Sequence, residues 1–235
     1  MRTGDYQTEA QATAYHINRF SGGLRFVHKQ ESDIVSHWLD DIRISQTSSI
    51  LDIASGTGRM IAQMLLYHPK KIYALDSSKA MLGQLSKNYF KEIEKNNIVL
   101  IQGDAANIPL KKRSIDLATA MHLFKHLPNI GPVLASVSQV LKPNGYLIFD
   151  ILNSHSLIRF NLGGCYAYTF AQIKKSLGKE GLIIKDVVHL QVLGETLYKI
   201  TGSRLSSIVN LIDQTITQAN IRIGTKMLIL AMKQS

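Results

Sequence analysis

The chain has 235 residues, a formal net charge of +10, a single cysteine and 45% hydrophobic residues. That length suits one medium-sized α/β domain with a small appendage, and one cysteine, Cys165, excludes an intrachain disulfide and fits a reducing compartment. No apolar run reaches the length of a bilayer span, and the polar N-terminal stretch MRTGDYQTEAQATAYHINRF has no signal-peptide core, so a soluble, cytoplasmic protein is expected. The basic residues are scattered. The densest cluster, Lys111-Lys112-Arg113, falls in an expected loop, and the excess reads as solvated surface, with a nucleic acid or anionic partner left open.

In chain order, residues 1–45 are helix-like, broken by glycines in RFSGGLRF, and form an expected N-terminal helical cap. From residue 46 strands and helices alternate. SSILDIA is a short apolar strand ending at the glycine turn SGTG. Ile61, Met64, Leu65 and His68 then recur at helical spacing until Pro69. KIYALD is the second strand. Ser77 or Ser78 caps a helix with inner face Leu82, Leu85, Tyr89 and Ile93. NIVLIQGD and SIDLATAM are the third and fourth strands. Val133, Leu134, Val137, Val140 and Leu141 mark a helix closed by KPNG, before the fifth strand GYLIFDIL. AQIKKSLGKEG is a helix ending at Gly181, followed by the strand LIIKDVVHLQVL. RLSSIVNLIDQTITQAN, with Leu205, Ile208, Val209, Ile212 and Ile216 on one face, precedes the last strand TKMLILAMK.

Strands apolar on both faces, alternating with helices, predict a doubly wound, mostly parallel sheet covered by helices on each side. The two late strands predict an antiparallel pair at one sheet edge. The expected domain is 46–235, with an inserted lid at about 196–222.

Ligands of such sheets lie beyond the carboxyl ends of the strands. The residues there are Asp52, Ala54, Gly56 and Gly58 after the first strand, Asp76 after the second, Gly103, Asp104 and Ala105 after the third, and Met121, His122 and Phe124 after the fourth. A dinucleotide turn needs a third glycine, where this chain has Ile61 or Arg59, depending on the frame. A P-loop needs Lys-Ser or Lys-Thr after its last glycine, and here Gly58 is followed by Arg59-Met60. The turn does not read as a phosphate cradle.

Five segments, ILDIASGTGR, IYALDSS, LIQGDAANIPL, SIDLATAMHLFKHLPN and VLKPNGYLIFDI, stand in the order of class I S-adenosylmethionine-dependent methyltransferases. The chain resembles that family over roughly residues 46–153, and the late strand pair matches its reversed last strand. The resemblance implies a Rossmann-like sheet of seven strands with S-adenosyl-L-methionine as cofactor. Asp52 would fix the ammonium and Asp76 the two ribose hydroxyls. Asp104 and the Ala105 backbone would take the adenine, Met81 would pack on it, and Met121 and His122 would border the methionine end. Ser55, Gly56, Gly58, Ser77 and Gly103 complete the implied cofactor set, with Tyr15 and Arg25 as candidates to close over the carboxylate. Ala54 stands where the family has its first glycine, and a methyl group fits there if φ is negative.

Methyl transfer needs alignment and exclusion of water more than acid–base chemistry. His122 and His126 are the candidate catalytic groups, needed as bases only for an unactivated hydroxyl or a protonated nitrogen. After the fourth strand the chain reads Thr119-Ala120-Met121-His122, not the Pro-Pro-Tyr motif for planar amines. After the fifth it reads Asp150-Ile151-Leu152-Asn153, without catechol-type metal ligands, so no metal is expected. Tyr15, Phe20, Arg25, Phe160, Tyr166 and Tyr168 in the appendages suit an apolar, aromatic or quinone-like small molecule with an anionic part. A tRNA or other RNA acceptor, and a non-catalytic S-adenosylmethionine-binding protein, are the alternatives. The oligomeric state is open.

Overall fold

A computed structural model describes residues 8–19, 23–95, 97–156, 164–192, 197–198, 202–218 and 224–235. Phe20 and Phe160, both expected near the acceptor, lie outside these residues, as do parts of the segment expected as a lid. Two helices come first, α1 (Glu9–Arg19) and α2 (Leu24–Asp41). Then follow β1 (Ser49–Ile53), α3 (Arg59–Leu65), β2 (Lys71–Asp76), α4 (Lys79–Asn88), α5 (Phe90–Glu94), β3 (Ile98–Gln102) and β4 (Ile115–Ala120). The remainder is α6 (Gly131–Val140), β5 (Leu141–Asn153), β6 (Ala167–Tyr168), α7 (Phe170–Lys179), β7 (Leu182–Leu190), α8 (Gly202–Gln218) and β8 (Lys226–Lys233).

The strand order is β3-β2-β1-β4-β5-β8-β7, with the two-residue β6 paired to the end of β5. β1 to β5 pair in parallel, each joined to the next by a crossover. β8 runs antiparallel to both its neighbours, so the last strand lies inside the sheet and β7 forms the edge. No helix among the described residues is long and apolar enough to cross a membrane.

Alternation along the strands builds two apolar layers. Leu51, Ile53, Ala118, Leu147, Phe149, Ile151, Met227 and Ile229 meet α6 and α7 on one face. Ile50, Ile72, Ala74, Leu117, Ile148, Leu228 and Leu230 meet α2, α3 and α4 on the other. This second face changes character at the carboxyl ends of the strands. One step past the apolar row, β1 presents Asp52, β4 Thr119, β5 Asp150 and the start of β8 Lys226, all buried. A row of polar groups therefore runs across four adjacent strands beneath α2.

Four local expectations are corrected. The helix after the glycine turn stops at Leu65, and His68 takes a left-handed φ of 48°. The helix capped by Ser78, whose side chain accepts from the Met81 N–H, breaks at Tyr89, because that residue turns to donate its hydroxyl to the Gly58 carbonyl. KPNG does not end a helix but lies within β5, where the pairing shifts register between Ile115 and Leu117. The apolar stripe of α8 faces outward: Leu205, Ile208 and Ile212 are exposed, while Ser206, Val209 and Asp213 turn in. Polar bonds decide that orientation, since Tyr198 donates to Asp213 at 2.8 Å and Gln30 of α2 donates to Asn210 at 2.9 Å.

The bulge in β5 rests on Gly145. A Cβ there would lie 2.9 Å from the Lys142 carbonyl and 3.1 and 3.2 Å from those of Ile115 and Asp116, all backbone atoms. Gly145→Ala is expected to destabilise the fold by about 2 kcal/mol, as overpacking does, read as a lower urea midpoint with an unchanged m-value.

Candidate functional site

The glycine turn after β1 is held from three sides. The Ser55 N–H donates to the Leu75 carbonyl, the Gly56 N–H to Asp76 at 2.8 Å, and Asn88 and Tyr89 donate to the carbonyls of Thr57 and Gly58. Gly58 has φ 93°, and a Cβ there would come within 2.4 Å of the Tyr89 ring. Gly56, at φ 55°, is also left-handed. Ala54 shares that conformation, with φ 55°. The condition of a negative φ is not met, and the methyl group sits in strained backbone.

Beside this turn is a small cavity of about 30 Å³ lined by Tyr15, Asp52, Ala54, Ser55, Gly56, Thr57, Arg59, Met60, Met121 and His122. It brings together seven of the residues singled out in the sequence. By volume it holds only a water or two; α1, which carries Tyr15, lies over it. α1 is tied to α4 by exposed contacts, Lys87 to Glu9 at 2.9 Å and Thr13 to Gln84 at 3.3 Å, which contribute little stability.

Asp76 closes β2 and accepts from the backbone of both Gly56 and Ser78. Burial raises its pKa against those hydrogen bonds. Ser77 is exposed next to it. Asp104 is exposed after β3 and accepts from the Ala106 N–H, with Ala105 half-buried beside it. Gly103 is not demanded by packing, since a Cβ there would make only ordinary contacts. Met81 lies on the buried face of α4 with Leu82 and Leu85.

Nine expected site residues do not line the cavity: Gly58, Asp76, Ser77, Met81, Gly103, Asp104 and Ala105, described above, and Arg25 and His126. Arg25 is exposed on α2, its guanidinium 4.9 Å over the ring of Phe26. The α2 register that buries Val27 and Glu31 turns position 25 outward. His126, in a short 3-10 turn of Phe124–His126, is half-buried away from the cavity.

Asp52 is 2% exposed. Thr119 donates to one carboxylate oxygen at 2.6 Å, and the other has no hydrogen-bond partner among the described residues. Burial raises its pKa to about 7, against the Thr119 hydrogen bond and the Arg59 charge, which pull it down. The Ser55 hydroxyl and the NH2 group of Arg59 are likewise buried without a partner.

Behind the cavity is a buried ion cluster that sequence reasoning missed. Glu31 of α2, 1% exposed, faces Lys226 at 2.5 Å, Arg59 at 2.5 Å and His122 Nε2 at 3.3 Å. Asp150 faces Lys226 at 3.1 Å and His122 Nδ1 at 3.5 Å, and accepts from the His122 N–H. Burial alone would raise the Glu31 pKa, but the charges of Lys226, His122 and Arg59 outweigh it and hold it well below the carboxylate range. Asp150 is depressed in the same way by His122 and Lys226. Both acids are ionised and fully paired. One sequence signal was available for Glu31, which falls in the buried stripe of α2 with Val27, Val35, Trp38 and Leu39. Lys226 opens a strand whose next six residues are apolar. No group of three or more metal-binding side chains is found among the described residues.

Comparison with known proteins agrees with the geometry. Residues 51–149 match the family model described as a methyltransferase domain. An uncharacterized methyltransferase of Schizosaccharomyces pombe is 32% identical over 114 residues, 48% of this chain and 43% of that protein. The demethylmenaquinone methyltransferase of Lactococcus lactis is 34% identical over 102 residues, 43% of this chain and 40% of that enzyme. The chain therefore spans less than half the length of these curated relatives. Phosphoethanolamine N-methyltransferase 2 of Haemonchus contortus, solved with S-adenosyl-L-methionine, superposes with a TM-score of 0.69 at 16% identity, covering 100% of this chain and 59% of that one.

Two measurements test the turn. Ala54→Gly relieves a left-handed alanine and is expected to raise stability by about 1 kcal/mol, read by urea unfolding; a loss of stability would contradict the strain. Asp52 keeps its proton in the folded state between pH 3.8 and about 7, where the unfolded chain has lost it. The native state then binds more protons, so stability falls as pH rises through that window. Relative to Asp52→Asn, the wild-type protein is expected to lose on the order of 4 kcal/mol across it. Parallel stability–pH curves for the two proteins would refute this.

Proposed function

We propose that this protein is an S-adenosylmethionine-dependent methyltransferase acting on a small-molecule acceptor. One observation carries the reading: a buried carboxylate oxygen of Asp52 without a hydrogen-bond partner among the described residues, beside a glycine turn that leaves backbone open to a ligand. The residues fit the cofactor. Asp52 would receive its ammonium, Asp76 its ribose hydroxyls, and Asp104 with the Ala105 backbone its adenine, while Met121 and Ser55 border the methionine end. When bound, the cofactor supplies a methyl group on a sulfonium, already activated for displacement.

The protein's own contribution is placement and dryness. Met60, Met121 and Tyr15 wall the cavity against water. His122, with a carboxylate near each ring nitrogen, is a fixed group of the wall rather than a free base. The acceptor is then one that arrives as a competent nucleophile. A quinone-like or other apolar molecule is supported by the demethylmenaquinone methyltransferase relative. It is supported also by Tyr166 and Tyr168, which bond the segment after β4 through the Lys125 and Leu127 carbonyls.

Titration calorimetry with S-adenosylhomocysteine tests the cofactor, and saturable heat is expected. Asp76→Ala is expected to weaken binding by about 2–3 kcal/mol, since buried charge-assisted hydrogen bonds are lost. Unchanged affinity would remove the ribose assignment. No heat and no thermal shift with the wild-type protein would remove the reading itself.

A further inference from the structure

The ion cluster behind the cavity contains one atom that its own pairing does not explain. Arg59 is the first residue of α3, directly after Gly58. Its NH1 group is engaged, with Glu31 at 2.5 Å and His28 Nδ1 at 3.4 Å. Its NH2 group is buried and has no hydrogen-bond partner among the described residues. The side chain lines the same cavity as Asp52, and it is 8% exposed. A guanidinium presents parallel N–H groups suited to a carboxylate. Glu31 occupies one branch and leaves the other bare in a site where an unmade hydrogen bond is costly.

The cavity thus offers an unsatisfied acceptor oxygen, on Asp52, and an unsatisfied guanidinium donor, on Arg59. That pair is complementary to a zwitterion, an ammonium on one side and a carboxylate on the other. We infer that Arg59 binds the carboxylate of the cofactor's amino-acid end, and that Glu31 of the N-terminal α2 is the positioning residue that aims it. This rests on the cofactor assignment made above. It also replaces Arg25, which the fold places outside the cavity, as the arginine of that subsite.

Glu31 holds the aim because it cannot move itself. Its other oxygen is gripped by Lys226 at 2.5 Å, and Lys226 is gripped in turn by Asp150 at 3.1 Å. Charges alternate along the chain Asp150, Lys226, Glu31, Arg59, running from β5 through β8 and α2 to the glycine turn. His122 sits against both acids and Gln191 reaches Glu31 at 3.4 Å. With Glu31 saturated by cations, Arg59 is held by one branch and is free to serve an incoming anion with the other. Helix α2 thereby becomes part of the cofactor site without its own side chain touching the cofactor.

The test compares two ligands on three proteins by titration calorimetry. One ligand is S-adenosylhomocysteine. The other is S-adenosyl-3-thiopropylamine, the same molecule without the carboxylate. The proteins are wild type, Arg59→Lys and Glu31→Gln, each checked for folding by its thermal transition. Wild type is expected to prefer the carboxylate ligand. Both variants are expected to bind S-adenosylhomocysteine at least tenfold more weakly, while their affinity for the decarboxylated ligand stays within about threefold of wild type. If Glu31→Gln does not fold, the double variant Glu31→Gln with Lys226→Met removes the charge pair together and is expected to show the same loss of preference. Equal weakening of both ligands would show a merely structural role, and unchanged preference would show that the carboxylate lies elsewhere; either overturns the inference. Failure of wild type to bind either ligand would instead strike the cofactor assignment.

Discussion

A carboxylate with almost no exposed surface, Glu31, sets the terms for the rest of the molecule. Taking that charge out of water is unfavourable by several kcal/mol unless it is matched. The match comes from Lys226 on β8, Arg59 at the glycine turn and His122 after β4. These three basic side chains stand on three elements and converge only if α2 docks in one register on the sheet. Apolar packing of Val27, Val35, Trp38 and Leu39 holds the helix down, but such packing tolerates sliding better than an ion cluster does. The cluster therefore specifies where the N-terminal helix lies, and with it the roof of the cavity.

Much of the scaffold was legible because it is local. Strands read as short apolar runs, helices as 3.6-residue stripes, and the glycine turn from its own residues. Asp52 and Asp76 stood out because each ends a strand. What the sequence withheld is long-range or energetic. Glu31 and Lys226 are separated by 195 residues, and no spacing rule connects them. The outward face of α8 depends on Asp213 and Asn210 finding partners on other segments, which outweighs the apolar stripe. The break at Tyr89 depends on a carbonyl in the turn it supports. KPNG reads as a helix-ending turn, yet neighbouring strand pairing draws it into β5.

Two of the seven non-glycine residues with left-handed φ among the described residues line the cavity. Ala54 and His122, neither of them glycine, both take left-handed φ, at 55° and 61°. They follow the neighbouring strands β1 and β4 and both line the cavity. Such conformations persist only where surroundings over-determine them. His122 is pinned through its backbone N–H by Asp150, and the turn at Ala54 is braced by the bonds from Ser55, Gly56 and the β2 edge. Asp150 of the polar row supplies the bracing at His122, while β2 supplies it at Ala54 through Leu75 and Asp76.

The position of β8 has a consequence for how the protein comes to exist. Because β8 is threaded between β5 and β7, Lys226 reaches Glu31 only after the 195 residues that separate them have been made. A polypeptide growing from its N-terminus carries the acid long before its main counter-charge. Through most of synthesis α2 has an apolar stripe interrupted by an unbalanced carboxylate, and it has no single seat on the incomplete sheet. Closing that contact bears the entropy of a loop of 195 residues. The charge cluster is thus completed only once β8 is in place, and a chain that lacks β8 leaves Glu31 without its Lys226 partner behind the cavity.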